Sequence, residues 1–198
     1  MERITVSFLA RGIGVLRYSS YLIYSNERAP RLLDPAFHFE GGEAFALIDL
    51  QKQATTTLNP KDIEVPDALE LELGYFLDLL SKKRTVIKTL LMDQHLLRGI
   101  GNSYADEILY HAGISPLLIA RAIPEKEARK LFKGISSVLN VAISKIAREN
   151  GDELNGELRD FMQVHGATIR QTHKGEKVLS GKIGGRKIYY TENQVVFK

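Results

Sequence analysis

A chain of 198 residues with 44% hydrophobic content can bury one core of ordinary size or two small ones, and it has no cysteine, which excludes disulfides and every thiolate metal site. No apolar run approaches the roughly 18 residues of a membrane span, and Met1-Glu2-Arg3-Ile4 lacks the apolar stretch of a signal peptide, so the expected location is cytoplasmic. The net charge of +3 is unevenly divided, with 7 Lys/Arg against 11 Asp/Glu in residues 1–75 and 20 against 13 in residues 76–198; a basic C-terminal part suits a phosphate-bearing partner, although small proteins also divide charge unevenly by chance.

Residues 4 to 58 read mainly as strands. Ile4–Leu9, Gly14–Tyr18, Tyr21–Tyr24 and Ala44–Ile48 are short, rich in β-branched and aromatic residues, and separated by Gly, Asn and Pro. Leu58–Asp67 holds two prolines and no helical period, which predicts a linker or surface crossing. From residue 68 to about 150 the period turns helical, most clearly at Leu131, Ile135, Val138, Leu139, Ala142 and Ile146, a stripe that belongs to a core. Pro124 suits the first position of that helix and Asn150-Gly151 its stop. Two earlier helices are expected over Arg84–Leu97 and Ser103–Ala112, joined by Arg98-Gly99-Ile100-Gly101-Asn102. Beyond Gly151 the chain becomes extended, and Lys177–Ile183 with Lys187–Thr191 about Gly184-Gly185-Arg186 predict a hairpin.

The joint between the two helices carries the chemistry. Two glycines around one apolar residue permit a sharp turn, with Ile100 pointing inward as an anchor. Asn102 and Ser103 are good N-cap residues, and Asp106 and Glu107 are expected in the first turn of the helix that follows. Backbone amides at such a turn can hold a phosphate oxygen, with the Asn102 carboxamide as a second donor. The same residues also fit a plain helical hairpin whose glycines only allow close packing. His38, His95, His111, His165 and His173 show no metal spacing and are expected to be surface or packed residues.

Lys88-Thr89-Leu90-Leu91-Met92-Asp93-Gln94, Gly99-Ile100-Gly101-Asn102-Ser103-Tyr104-Ala105-Asp106-Glu107-Ile108-Leu109 and His111-Ala112-Gly113-Ile114-Ser115-Pro116 together resemble the helix-two-turn-helix module of the formamidopyrimidine-DNA glycosylase and endonuclease VIII family. Arg159–Gly166 and Gly184–Thr191 resemble the segment leading into that family's zinc finger and the finger's β-hairpin, without the cysteines. The resemblance is therefore to the zinc-less finger branch, in which Ile183, Ile188, Tyr189 and Tyr190 would hold the hairpin by packing. It implies an α+β fold: a truncated β-sandwich N-terminal unit over residues 1–67, a helix-two-turn-helix domain over 68–158, and an antiparallel hairpin finger over 159–198.

By the same resemblance, Asn102 in the turn and Arg186 at the hairpin tip would bind phosphates around an extruded nucleotide, with Lys88 a further contact. Gly99, Gly101, Tyr104 and Lys187 complete the expected DNA-binding set. Independently of the resemblance, residues 159–198 hold 8 Lys/Arg against 3 Asp/Glu, and an arginine after two glycines can project into a groove. Lys82, Lys83 and Arg84 read equally well as a solvated helix start. The family's nucleophile is an N-terminal proline beside a glutamate, and a covalent mechanism needs such an amine next to a general acid. The chain opens Met1-Glu2, contains no Pro-Glu-Leu-Pro, and matches the family only from about Phe8–Gly12 onward. No catalytic residue is therefore assigned, and the chain as given is expected to be catalytically impaired. The family's intercalating residues would fall at Ala10 and Asp49–Ala54, where they are altered.

The resemblance implies a monomeric base-excision-repair protein of the bifunctional DNA glycosylase and AP lyase type that acts on oxidised bases, impaired as given, which binds damaged double-stranded DNA without metal or small-molecule cofactor. Two alternatives stay open: a non-catalytic binder of damaged or duplex DNA, and a helix-hairpin-helix protein that binds without regard to sequence through Leu97–Asn102 alone.

Overall fold

The computed structural model describes the backbone of residues 6–9, 15–18, 33–38, 44–48 and 55–58, and residues 64–150 and 158–197. Two compact units emerge, Met1–Ile63 and Glu64–Lys198. The division falls inside Leu58–Asp67, and the helical module and the finger form one unit. A physical reason for the first break lies in the hydrogen bonds of residues 65–68. Arg98 donates its amide to the Pro66 carbonyl at 3.0 Å and its Nε to the Val65 carbonyl at 2.8 Å, and accepts the Ala68 amide at 2.9 Å. The end of the expected linker is thus a brace against the turn.

In the first unit β1 (Val6–Leu9) pairs antiparallel with both β2 (Val15–Tyr18) and β5 (Thr55–Leu58), giving the order β2-β1-β5. A second antiparallel pair joins β3 (Leu33–His38) to β4 (Ala44–Ile48). The strand expectations at Ile4–Leu9, Gly14–Tyr18 and Ala44–Ile48 meet β1, β2 and β4; β3 lies outside those expectations and carries Pro35, which interrupts a strand pattern. The proline leaves its mark as a register shift between Leu33 and Ala36, as expected for a residue that cannot donate to the ladder. Tyr21–Tyr24, Ala10 and Asp49–Ala54 lie outside the described residues.

Among the described residues the second unit is built on the α-helices α1 (Leu73–Lys82), α2 (Ile87–Leu91), α3 (Asn102–Ala112) and α4 (Glu125–Asn150), with a short 3-10 turn at Ala120–Ala122 and the hairpin of β6 (Val178–Ile183) and β7 (Arg186–Thr191). α4 packs on α1 and α3. Phe76, Ile87, Leu90, Leu91, Ile108, Leu109, Leu131 and Ile135 are buried at its centre. The α4 stripe behaves as its period requires: Leu131, Ile135, Leu139 and Ala142 are buried and Ile146 is half-buried. Pro124 stands one place earlier than expected, just outside α4, where its carbonyl accepts the Ala128 amide at 2.9 Å.

The helix expected over Arg84–Leu97 is much shorter. Residues 85–86 stay extended because this stretch hydrogen-bonds to residues 118–120, with Ile87 N–H, at the start of α2, on the Leu118 carbonyl at 2.7 Å and Ala120 N–H on the Thr85 carbonyl at 2.9 Å. Past Leu91 the chain closes in tight turns about Asp93. Lys82 therefore ends α1 rather than starting a helix, and pairs with Asp78 one turn back. Among the described residues no helix is long and apolar enough to cross a membrane.

Candidate nucleic-acid interface

The turn between α2 and α3 is fixed by one side chain. Gln94 donates its amide to the carbonyls of Ile100 at 2.9 Å and Met92 at 3.2 Å, and its oxygen accepts the Gly99 amide at 3.2 Å. Ile100 is buried and anchors the bend. Gly99 has φ +91°, and a Cβ there would lie 3.2 Å from Asp67 Oδ2, so both backbone and space demand glycine. Gly101 has φ −97° and caps α3 in an extended conformation any residue adopts.

Asn102 is the first residue of α3 rather than its cap, and the helix has no side-chain cap. The first intrahelical bond runs from Ala105 N–H to the Gly101 carbonyl; the amides of Asn102 and Ser103 precede it and belong to the helix's open end. Asn102 is half-buried and its Oδ1 is buried with no partner. Tyr104 is half-buried against the core.

Asp106 and Glu107 are not in the first turn of α3, which contains no acidic residue. They lie one turn in, both buried, and they bind the finger to the helices. Asp106 Oδ1 accepts Lys88 Nζ at 2.6 Å, while its Oδ2 pairs with His165 Nδ1 at 2.7 Å and accepts the Tyr189 amide at 3.1 Å. Glu107 accepts the amides of Gln163, Val164 and His165 at 2.8–3.1 Å. Sequence reasoning missed all three of Asp106, Glu107 and His165. The signal was available: two adjacent carboxylates between Ala105 and Ile108-Leu109, on a helix with little open face, must find partners inside.

Lys88 is a member of this network, not an open surface charge. Its side chain is 2% exposed, and a second of its three protons goes to the Lys187 carbonyl at 3.3 Å. Burial pushes the Lys88 ammonium below its ordinary pKa, Asp106 opposes that shift, and the positive charge of Arg186 adds to it. Arg186 is exposed at the hairpin tip, where Gly184 and Gly185 have φ +55° and +78°, the pair of positive values of a type I′ turn. Lys88 thus reaches the carbonyl of Lys187, the neighbour of Arg186 in β7, and Asn102 stands one helical turn from Asp106 on the same face of α3. Lys187, also exposed, follows Arg186 in the strand and so points to the opposite face of the hairpin.

The finger is held by more than the expected packing. Ile188 and Tyr189 are buried, Ile183 and Tyr190 half-buried, and the Tyr189 ring meets His165 edge-on. Buried polar side chains do the rest. Thr172 Oγ1 accepts the amides of Lys174 and Glu176, Gln194 Oε1 accepts the Thr191 amide at 2.7 Å, and Gln194 Nε2 donates to the Ile114 carbonyl beyond α3. Asn193 donates to Glu176 at 2.7 Å, the main reason the Glu176 carboxyl sits below its ordinary pKa. Among the described residues no cluster of three His, Asp or Glu could hold a metal ion.

Residues 65–150 match the H2TH domain of formamidopyrimidine-DNA glycosylase. The chain is 32% identical to the formamidopyrimidine-DNA glycosylase of Streptococcus mutans over 78% of its own length and 63% of that protein's, and 35% identical to that of Solibacter usitatus over 67% and 50%. With the corresponding protein of Desulforamulus reducens it shares 30% identity over 88% of the chain and 70% of the relative. The chain thus spans less than two thirds of the first two relatives. Its fold is that of MutM solved with carbocyclic 8-oxo-G containing DNA (TM-score 0.72, 20% identity, 93% of this chain and 79% of that one). Lactococcus lactis Fpg solved with an abasic site containing DNA has the same fold (TM-score 0.69, 19% identity, 96% and 70%).

Proposed function

The chain belongs to the formamidopyrimidine-DNA glycosylase family, and from that premise we propose that it is a base-excision-repair protein whose Glu64–Lys198 unit binds damaged double-stranded DNA as a monomer. The observation that carries this reading is the buried Lys88–Asp106 pair, which binds the strand carrying the exposed Arg186, through the Lys187 carbonyl and the Tyr189 amide, to the helix that starts at Asn102. Arg186 offers a forked guanidinium to a phosphate and Asn102 a carboxamide beside open helix amides. Lys88, Gly99, Gly101, Tyr104 and Lys187 complete the DNA-binding set of this reading. In this reading Lys88 adds positive potential and fixes the hairpin through the Lys187 carbonyl more than it touches solvent.

Arg186→Ala should weaken binding to duplex DNA with an abasic site by about 1–3 kcal/mol, measured by fluorescence anisotropy at fixed salt. Unchanged affinity would leave the turn alone as the binding element, the helix-hairpin-helix reading. Borohydride trapping on the same DNA separates repair chemistry from binding: a covalent adduct means lyase activity, and tight binding with no adduct means a non-catalytic binder.

A further inference from the structure

The hairpin has a second basic face, turned away from Arg186, of which the reading above uses only Lys187. β6 and β7 pair Lys182 directly opposite Lys187, on the face turned away from Arg186. Like charges across an antiparallel pair repel, and one of the two is normally exchanged or given an acidic neighbour. Here a third cation is added: Arg170 lines the same groove, its carbonyl held by the Val178 amide at 3.0 Å. All three side chains are exposed, and among the described residues none of them makes an ion pair. The groove is half open and holds about 340 Å³; besides these cations it is lined by Ala167, Ile169, Val178, Ser180, Gly181 and Tyr189. Cations on the rim over an apolar and aromatic floor match a phosphate joined to a sugar or base, and the volume lies in the range of small-ligand sites.

We propose that this groove is a second phosphate site, in which Lys182, Lys187 and Arg170 share one phosphate group of a nucleotide unit whose sugar lies against Ile169 and Tyr189. The phosphate offsets the repulsion that the lysine pair carries when the groove is empty. Its source under the DNA-binding reading is the backbone of the same duplex, flanking the segment that Arg186 meets; a free nucleotide offers the same chemistry.

The test uses the full chain, Lys182→Gln/Lys187→Gln, and Lys187→Gln alone. Without ligand, Lys187→Gln should raise the melting temperature by about 1–2 °C through relief of the pair. Inorganic phosphate, and separately deoxyadenosine monophosphate, should raise the melting temperature of the parent chain and not of the double variant. The salt dependence of DNA affinity, as log Kd against log salt, should lose about one unit of slope in the double variant. A phosphate or nucleotide response with an unchanged DNA slope keeps the site and assigns it to free nucleotides, overturning the duplex as its source. No response of the parent chain to phosphate or nucleotide, with an unchanged DNA slope, overturns the site. Because the phosphate arm needs no DNA, a chain that binds no duplex at all would sink the DNA reading while leaving the groove separately judged.

Discussion

The helical module and the finger solve the same problem with different chemistry. α1 to α4 bury a continuous core of Phe76, Ile87, Leu90, Ile108, Leu131 and Ile135, and their cohesion comes from apolar area removed from water. The finger over residues 159–197 is too small to do this, and its buried inventory includes His165, Thr172, Thr191 and Gln194. Small β units ordinarily need a metal or disulfide staple. Here carboxylates from α3 and polar side chains on the finger's own turns take that part, accepting backbone amides of the finger, those of Val164, His165, Tyr189 and Thr191 among them in buried bonds. Apolar cores lose stability in proportion to what is cut away, whereas a polar staple fails abruptly, since the partner left behind is a desolvated group with nowhere to go.

The largest effect should come from Asp106→Asn. It removes the charge partner of a lysine that is 2% exposed and weakens the hold on His165 and the Tyr189 amide. Breaking one side of a buried pair costs on the order of 3–5 kcal/mol. Urea unfolding should show that loss, and hydrogen exchange should show where it falls: the Tyr189 amide should lose protection well before those of Ile108 and Leu131. Equal loss in both regions would mean that helices and finger are one cooperative body and that the contrast is false.

Next in size is Gly99→Ala, which tests the turn rather than the staples. The residue must keep φ +91° and place a methyl carbon 3.2 Å from the Asp67 carboxylate. Strain at such a position costs about 1–3 kcal/mol. Gly101→Ala, at φ −97°, should cost far less, because its backbone is ordinary. Equal costs, by thermal unfolding, would mean that conformational freedom is not what the two glycines supply.

The contrast also explains what could be read in advance. The α4 stripe, the Gly99 bend, the anchor Ile100 and the Gly184-Gly185 turn are local signals: a period, or a residue type that permits one backbone shape. The shortening of the helix expected from Arg84 was illegible because the hydrogen bonds that win there come from residues 118–120, more than thirty positions away. Lys88 was placed among the DNA contacts by resemblance, but its buried partnership with Asp106 joins two helices and could not be seen from either alone. The staples of the finger were hidden for a related reason. Thr172, Asn193 and Gln194 are the residue types of any exposed loop, and only the fold turns Thr172 and Gln194 inward.

The smallest effect is the most specific to pH. Asn193 donates to Glu176 at 2.7 Å at an exposed place, and this bond is the chief cause that lowers the Glu176 pKa from its ordinary 4.5. A carboxyl whose folded pKa is depressed stabilises the protein above its unfolded pKa, and loses that contribution as pH falls through the folded value. Asn193→Ala should therefore cost about 0.5 kcal/mol near pH 6, discounted for solvent screening, with the difference from the parent chain closing as the pH falls below 4.5. The Glu176 carboxyl, followed by NMR, should move up toward 4.5 in the variant. A deficit that persists undiminished at pH 2 would show that Asn193 acts through packing, and the finger would then be less dependent on charged and polar staples than its buried inventory implies.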